Sequence, residues 1–111
     1  MSRRLQPLDP AALAAAIEAS DRRALTKHYL ALLESRAPGK SVEVRIPPYA
    51  AIQCIPGVRH TRGTPPAVIE TDPDTWIAVA SGALTWVAAV ASGKVRASGE
   101  RTDLSAHLPL D

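Results

Sequence analysis

The sequence has no phenylalanine, one cysteine, one methionine, two tryptophans and two tyrosines among 111 residues. A single cysteine, Cys54, excludes an internal disulfide and a cysteine-based zinc cluster. Without phenylalanine, apolar volume must come from 25 Leu, Ile and Val residues, which makes the core lean but sufficient for folding. Twenty alanines inflate the 46% hydrophobic fraction without adding much bulk. Long apolar runs are missing, so no helix is expected to span a membrane. The least polar stretch, residues 76–92, is interrupted by Ser, Gly and Thr and reads as two short helices. A basic start, Met1-Ser-Arg-Arg, is not followed by the apolar run of a signal peptide, and Asp9-Pro10 intervenes, so a cytoplasmic protein is expected. Charge of one sign is scarce: 13 basic against 11 acidic residues give +2. That is too small to imply nucleic acid, and no interleaving of basic and aromatic residues supports it.

What remains is enough for one domain. Residues 1–8 read as a flexible tail and residues 9–111 as the domain. The first fifty residues hold 8 basic and 5 acidic side chains, a net +3, whereas residues 51–111 hold 5 and 6, a net −1. Asp9 and Pro10 offer an N-cap and a first helical residue. Leu13, Ala16 and Ile17 form a narrow apolar stripe, and Leu25, Tyr29, Leu32 and Leu33 a stronger one. Ser20-Asp21 can cap a second helix, so this segment is one bent helix or two, ended by Pro38-Gly39.

Val42, Val44 and Ile46 alternate with Glu43 and Arg45, predicting a half-buried strand stopped by Pro47-Pro48. Residues 49–55 predict a second strand, 58–66 a polar loop and 67–71 a third strand. Asp72-Pro73-Asp74 opens a helix closed by Gly82, and Thr85 caps another closed by Gly93. Residues 94–98 predict a fourth strand. Because it follows two helices, it is free to lie beside an earlier strand rather than hairpin onto its predecessor. Residues 103–107 form at most a turn of helix before Pro109.

The segment from Asp72 through Trp76, Gly82, Trp86 and Gly93-Lys94 to Gly99 resembles the second half of sterol carrier protein type 2-like domains. There an acidic start leads into a helix ending at Gly, a short helix ends in a Gly-Lys step, and a strand closes at another Gly. The blocks Val42-Glu-Val-Arg-Ile-Pro-Pro-Tyr and Arg59-His-Thr-Arg-Gly-Thr-Pro-Pro are similar to the small bacterial sterol carrier proteins of actinobacteria. The resemblance covers roughly residues 37–110. It implies an α+β fold: a four- to five-stranded, mostly antiparallel sheet with helices packed on one face and an apolar cavity between. The implied activity is non-catalytic binding of a lipid, sterol or acyl chain, with no cofactor.

Trp76, Leu84, Trp86 and Val90 are expected to face Ile52 and Ile69 and to line that cavity. The competing reading makes the same side chains a filled core. Arg59, His60 and Arg62, around Gly63, place two guanidiniums and an imidazole within four residues. They are candidates for gripping a phosphate or carboxylate head group. Alternatively they brace the loop against Glu70, Asp72 or Asp74. Cys54 is expected to be buried and inert, since a nucleophile needs a lowered pKa and a base. Three scattered histidines lack metal-ligand spacing, and Asp72 and Asp74 are better explained as helix-cap chemistry than as an ion site. The alternative to a carrier is an interaction domain with a filled core, a homodimer paired through a strand edge among its forms.

Overall fold

The structure, a computed structural model, describes residues 4–57, 66–99 and 102–110. Two helices come first. Helix α1 (Pro10–Ala19) starts where the Asp9 carboxylate accepts the Ala12 N–H at 2.8 Å, with Pro10 in the first turn. It ends at Ser20 in the left-handed region, and Asp21 at once caps α2 (Arg22–Arg36) by accepting from Ala24 N–H. The predicted break at Ser20-Asp21 therefore gives two helices. Ahead of α1, Leu5 packs against the core and the Leu8 N–H donates to His28 Nδ1 at 2.9 Å.

Four strands follow: β1 (Val42–Ile46), β2 (Ala50–Cys54), β3 (Ala67–Thr71) and β4 (Val95–Ser98). Their spatial order is β2-β1-β3-β4. The outer pairs are antiparallel and the central pair β1–β3 is parallel, so the sheet is mixed. Strand β4 does pair with the strand before it, β3, but through two helices rather than a hairpin. Those helices are α3 (Pro73–Ser81) and α4 (Trp86–Ala91). A short 3₁₀ turn, Ser105–His107, precedes the C-terminal segment.

Alternation decides which sheet face is covered. Val42, Val44 and Ile46, then Ile52 and Cys54, then Ala67, Ile69 and Thr71 are all buried on the helix side. The opposite face carries Glu43, Arg45, Gln53 and Arg96, with the Arg45 Nε donating to Glu43 Oε1 at 2.6 Å. Helix α2 covers β2, and α3 leans on α2, where the Trp76 indole N–H donates to the Thr26 carbonyl at 3.3 Å. Helix α2 is buried more completely than its predicted stripe: Leu30 is fully enclosed and Leu32 only partly. Three neighbours cause this, since α1, α3 and the sheet each take one side of α2.

The C-terminal segment ties down the end of α3. The Leu110 N–H donates to the Ala80 carbonyl at 2.7 Å, and both Leu104 and Leu110 are fully buried. Gly82 ends α3 at φ +91, and a Cβ there would stand 3.4 Å from Pro109 Cβ. Left-handed backbone and close packing coincide at this position.

Candidate functional site

Helix α4 begins where Thr85 Oγ1 accepts the Ala88 N–H at 3.1 Å, and it is only six residues long. Every one of those residues is apolar, so no amphipathic stripe dictates its rotation. The structure turns Trp86 and Ala89 toward the sheet and leaves Val87 71% and Val90 46% exposed. Val90, expected to face Ile69, thus stands half exposed on α4. Ala89 takes the inward place beside Trp86.

The other expected ligand contacts divide in two. Ile52, Ile69, Trp76 and Trp86 belong to one buried cluster with Leu30, Leu33, Val44 and Val79. Trp76 is wholly enclosed. Leu84 is partly buried against the same cluster. Arg59, His60 and Arg62 lie outside the described residues.

Open space lies on both sides of Trp86 and Val87. Between α4 and β4 is a cleft of about 450 Å³, walled by Trp86, Val87, Val90, Ala91 and Ala97 and rimmed by Thr102 and Asp103. A second cleft of about 290 Å³ runs between α4 and the C-terminal segment, with Val79, Leu84, Leu108 and Pro109 against the opposite sides of Trp86 and Val87. Sequence reasoning missed Ala91, Ala97 and the C-terminal contributors. One signal was available: β4 supplies only Val95 and Ala97 to the inner face, too little volume to fill the space under a short helix.

Two further clefts are less apolar in character. One of about 480 Å³ lies among α1, α2 and α3, where Leu25, Tyr29 and Ile77 meet exposed Ile17 and the Arg22–Asp74 ion pair (2.7 Å). The other, about 270 Å³, gathers Glu70, Asp72, Lys94 and Arg96. Of the alternating acids, Glu70 and Asp72 share this cleft and Asp74 leaves them. Asp74 pairs with Arg22, and Glu70 stands across the sheet from Arg45 and Arg96. Asp72 caps α3 by accepting from Thr75 N–H at 2.9 Å and Thr75 O–H at 2.6 Å. Desolvation raises the Asp72 pKa, but those two bonds, with a backbone contribution and the Lys94 charge, outweigh it and leave the carboxyl below its ordinary value.

Cys54 is fully buried, and burial, with a smaller effect from Glu34, pushes its thiol up to about 11. A thiol held that far above neutrality carries little thiolate and makes a poor nucleophile. Among the described residues, no three His, Cys, Asp or Glu side chains gather as a metal site, and no helix is long and apolar enough to cross a membrane.

No curated protein matches the chain. A family model described as bacterial SCP ortholog matches residues 18–110, leaving α1 almost wholly outside the match. The matched span takes in the mixed sheet, α2 to α4 and the C-terminal segment, and by that match the chain belongs to this bacterial sterol carrier family.

Proposed function

We propose that the chain is a small cytoplasmic, non-catalytic carrier that holds the apolar chain of a lipid or acyl-type ligand in the clefts flanking Trp86. The observation that carries this reading is the pairing of an enclosed cluster of large side chains with an open α4–β4 side. Val87 and Val90 stand in water directly beside about 450 Å³ of apolar-walled space. Exposed apolar side chains grouped around a concavity favour binding, whereas isolated ones need no explanation. Family membership supports a carrier or binding role over catalysis.

Tryptophan fluorescence during titration with decanol tests this. Trp76 is enclosed, so a ligand-dependent change reports Trp86. A saturable change is expected in the native protein, and it should weaken in Val90→Asp, which places a carboxylate on the cleft wall. No change with decanol would overturn the carrier. An anionic head group held by Arg59, His60 and Arg62 is a separate alternative, read out as decanoate binding that weakens in Arg62→Ala. Arg62→Ala should leave decanol binding unaltered, because decanol offers no anion to grip.

The same face favours one second reading. Strand β4 has no neighbour on its outer edge among the described residues, and Val87 and Val90 stand beside it. A second copy seated there would form a homodimer. Native mass spectrometry counts subunits and detects co-purified lipid in one measurement.

A further inference from the structure

The walls of the α4–β4 cleft are aliphatic and indole, so selectivity must come from the rim. Only Thr102 and Asp103 put polar side chains there, and the Asp103 carboxylate is the one charged group among the described residues lining either cleft beside Trp86. Of the cations near in sequence, Arg101 lies outside the described residues, and the two on the β4 side are turned elsewhere. Arg96 neighbours Ala97 on β4, so strand alternation sends it to the opposite sheet face, across from Glu70. Lys94 lies close enough to Asp72 to lower that carboxyl.

Asp103 is itself held in place. Its Oδ1 accepts the Ser105 N–H at 2.9 Å at the start of the 3₁₀ turn. Bonds from the Ser105 side chain and backbone, slightly opposed by desolvation, keep the carboxyl below its ordinary value, so it is ionised at neutral pH.

We infer that this cleft selects its ligand by head-group charge, taking an apolar chain that ends in a cationic group and disfavouring a free carboxylate, with Asp103 as the specificity-determining residue. The inference rests on the carrier reading above. A chain seated against Trp86, Val90 and Ala97 brings its head to the rim. There an ammonium meets an anion and a carboxylate meets a like charge. Because the rim is exposed, the discrimination is modest and salt-sensitive.

The experiment compares decanol, decylammonium and decanoate, all below their micelle concentrations, by tryptophan fluorescence in the native protein and in Asp103→Asn. The variant keeps an acceptor for the Ser105 N–H and changes an exposed side chain, so the fold is retained. Decylammonium is expected to bind about two- to fivefold more tightly than decanoate, the range set by exposed charge pairs. The ratio should fall toward one in Asp103→Asn and in high salt. Decanoate binding as tightly as decylammonium, or a ratio that survives Asp103→Asn, would overturn the inference while decanol binding leaves the carrier standing. Decanoate binding that is preferred and then lost in Arg62→Ala would move the head-group contact to the arginine loop and overturn it too. Failure of all three amphiphiles would remove the carrier and this selectivity together.

Discussion

At the β2 edge of the sheet Ile52 and Cys54 are buried beneath α2, whereas at the β4 edge Ala97 is exposed beneath α4. The two covers differ in length and in bulk. Helix α2 has 15 residues and delivers Tyr29, Leu30 and Leu33 to the interior, while α4 has six and delivers Trp86 and Ala89. The strands differ in the same sense, β2 offering Ile52 and Cys54 and β4 only Val95 and Ala97. Apolar area removed from water stabilises by about 25 cal/mol per Å², so of these two edges the α2 side contributes more to stability. The α4 side contributes less and leaves Val87 and Val90 exposed. In a chain with no phenylalanine, Tyr29, Leu30, Leu33 and Ile52 fill the α2 side, and Trp86 is the one large side chain that α4 buries.

The sharpest way to break this comparison is a pair of truncations. Leu33→Ala removes an enclosed side chain and is expected to cost about 2–5 kcal/mol in a urea unfolding titration. Val90→Ala, at 46% exposure, is expected to cost less than about 1 kcal/mol and to weaken decanol binding. Equal costs would mean that the α4 side is as well packed as the α2 side.

A next-largest effect is expected at the joint where β4 meets β3. Gly99 has φ +93, and a Cβ on it would stand 2.9 Å from Ala67 Cα, a backbone atom that cannot swing aside. Gly99→Ala therefore combines left-handed strain with a clash and should cost about 2 kcal/mol or more. A melting temperature unchanged from the native protein would show that this joint yields, and that β4 is held even more loosely than its exposure indicates.

How much of this contrast was legible in the sequence depends on the element. Caps at Asp9, Asp21, Asp72 and Thr85 were readable because each sits at a fixed distance ahead of an apolar segment, and each accepts the N–H three residues on. Strands β1 and β3 were readable from alternation and bounding prolines. The rotation of α4 was not, since a wholly apolar helix presents the same pattern in every orientation. The parallel pairing of β1 with β3 was not either, because register depends on contacts far apart in the chain. The clefts depended on a volume balance between α4, β4 and the C-terminal segment, a tertiary quantity that no local spacing encodes.

The two caps on this side of the molecule provide a smaller test. Asp72 accepts two bonds from Thr75, whereas Thr85 accepts one N–H at the start of a six-residue helix. Asp72→Ala is expected to cost about 1–2 kcal/mol and Thr85→Ala about 0.5–1 kcal/mol. Only the first should depend on pH. The Asp72 carboxyl is lowered in the folded chain, so its contribution is full above the ordinary carboxylate value and is lost as pH falls through the lowered folded value. Stability of the native protein and of Asp72→Ala should therefore converge in acid, which urea titrations at a series of pH values would record. A difference that stays constant to low pH would show that the cap acts without its charge.

The smallest effect is expected on the closed side and has the opposite sign. Thr26 is fully buried on α2, and its Oγ1 finds no hydrogen-bond partner among the described residues, although its carbonyl accepts from Trp76. A buried hydroxyl without a partner keeps its desolvation penalty with nothing to offset it. Valine has nearly the same shape and carries a methyl where threonine has that hydroxyl. Thr26→Val should thus leave the carbonyl and the packing in place and raise stability by about 0.5–1 kcal/mol. A urea titration of the variant would show a higher midpoint with an unchanged slope. A lower midpoint would mean that Oγ1 has a partner in solution, a water held between α2 and α3, and that the closed side is less completely filled than its enclosed side chains indicate.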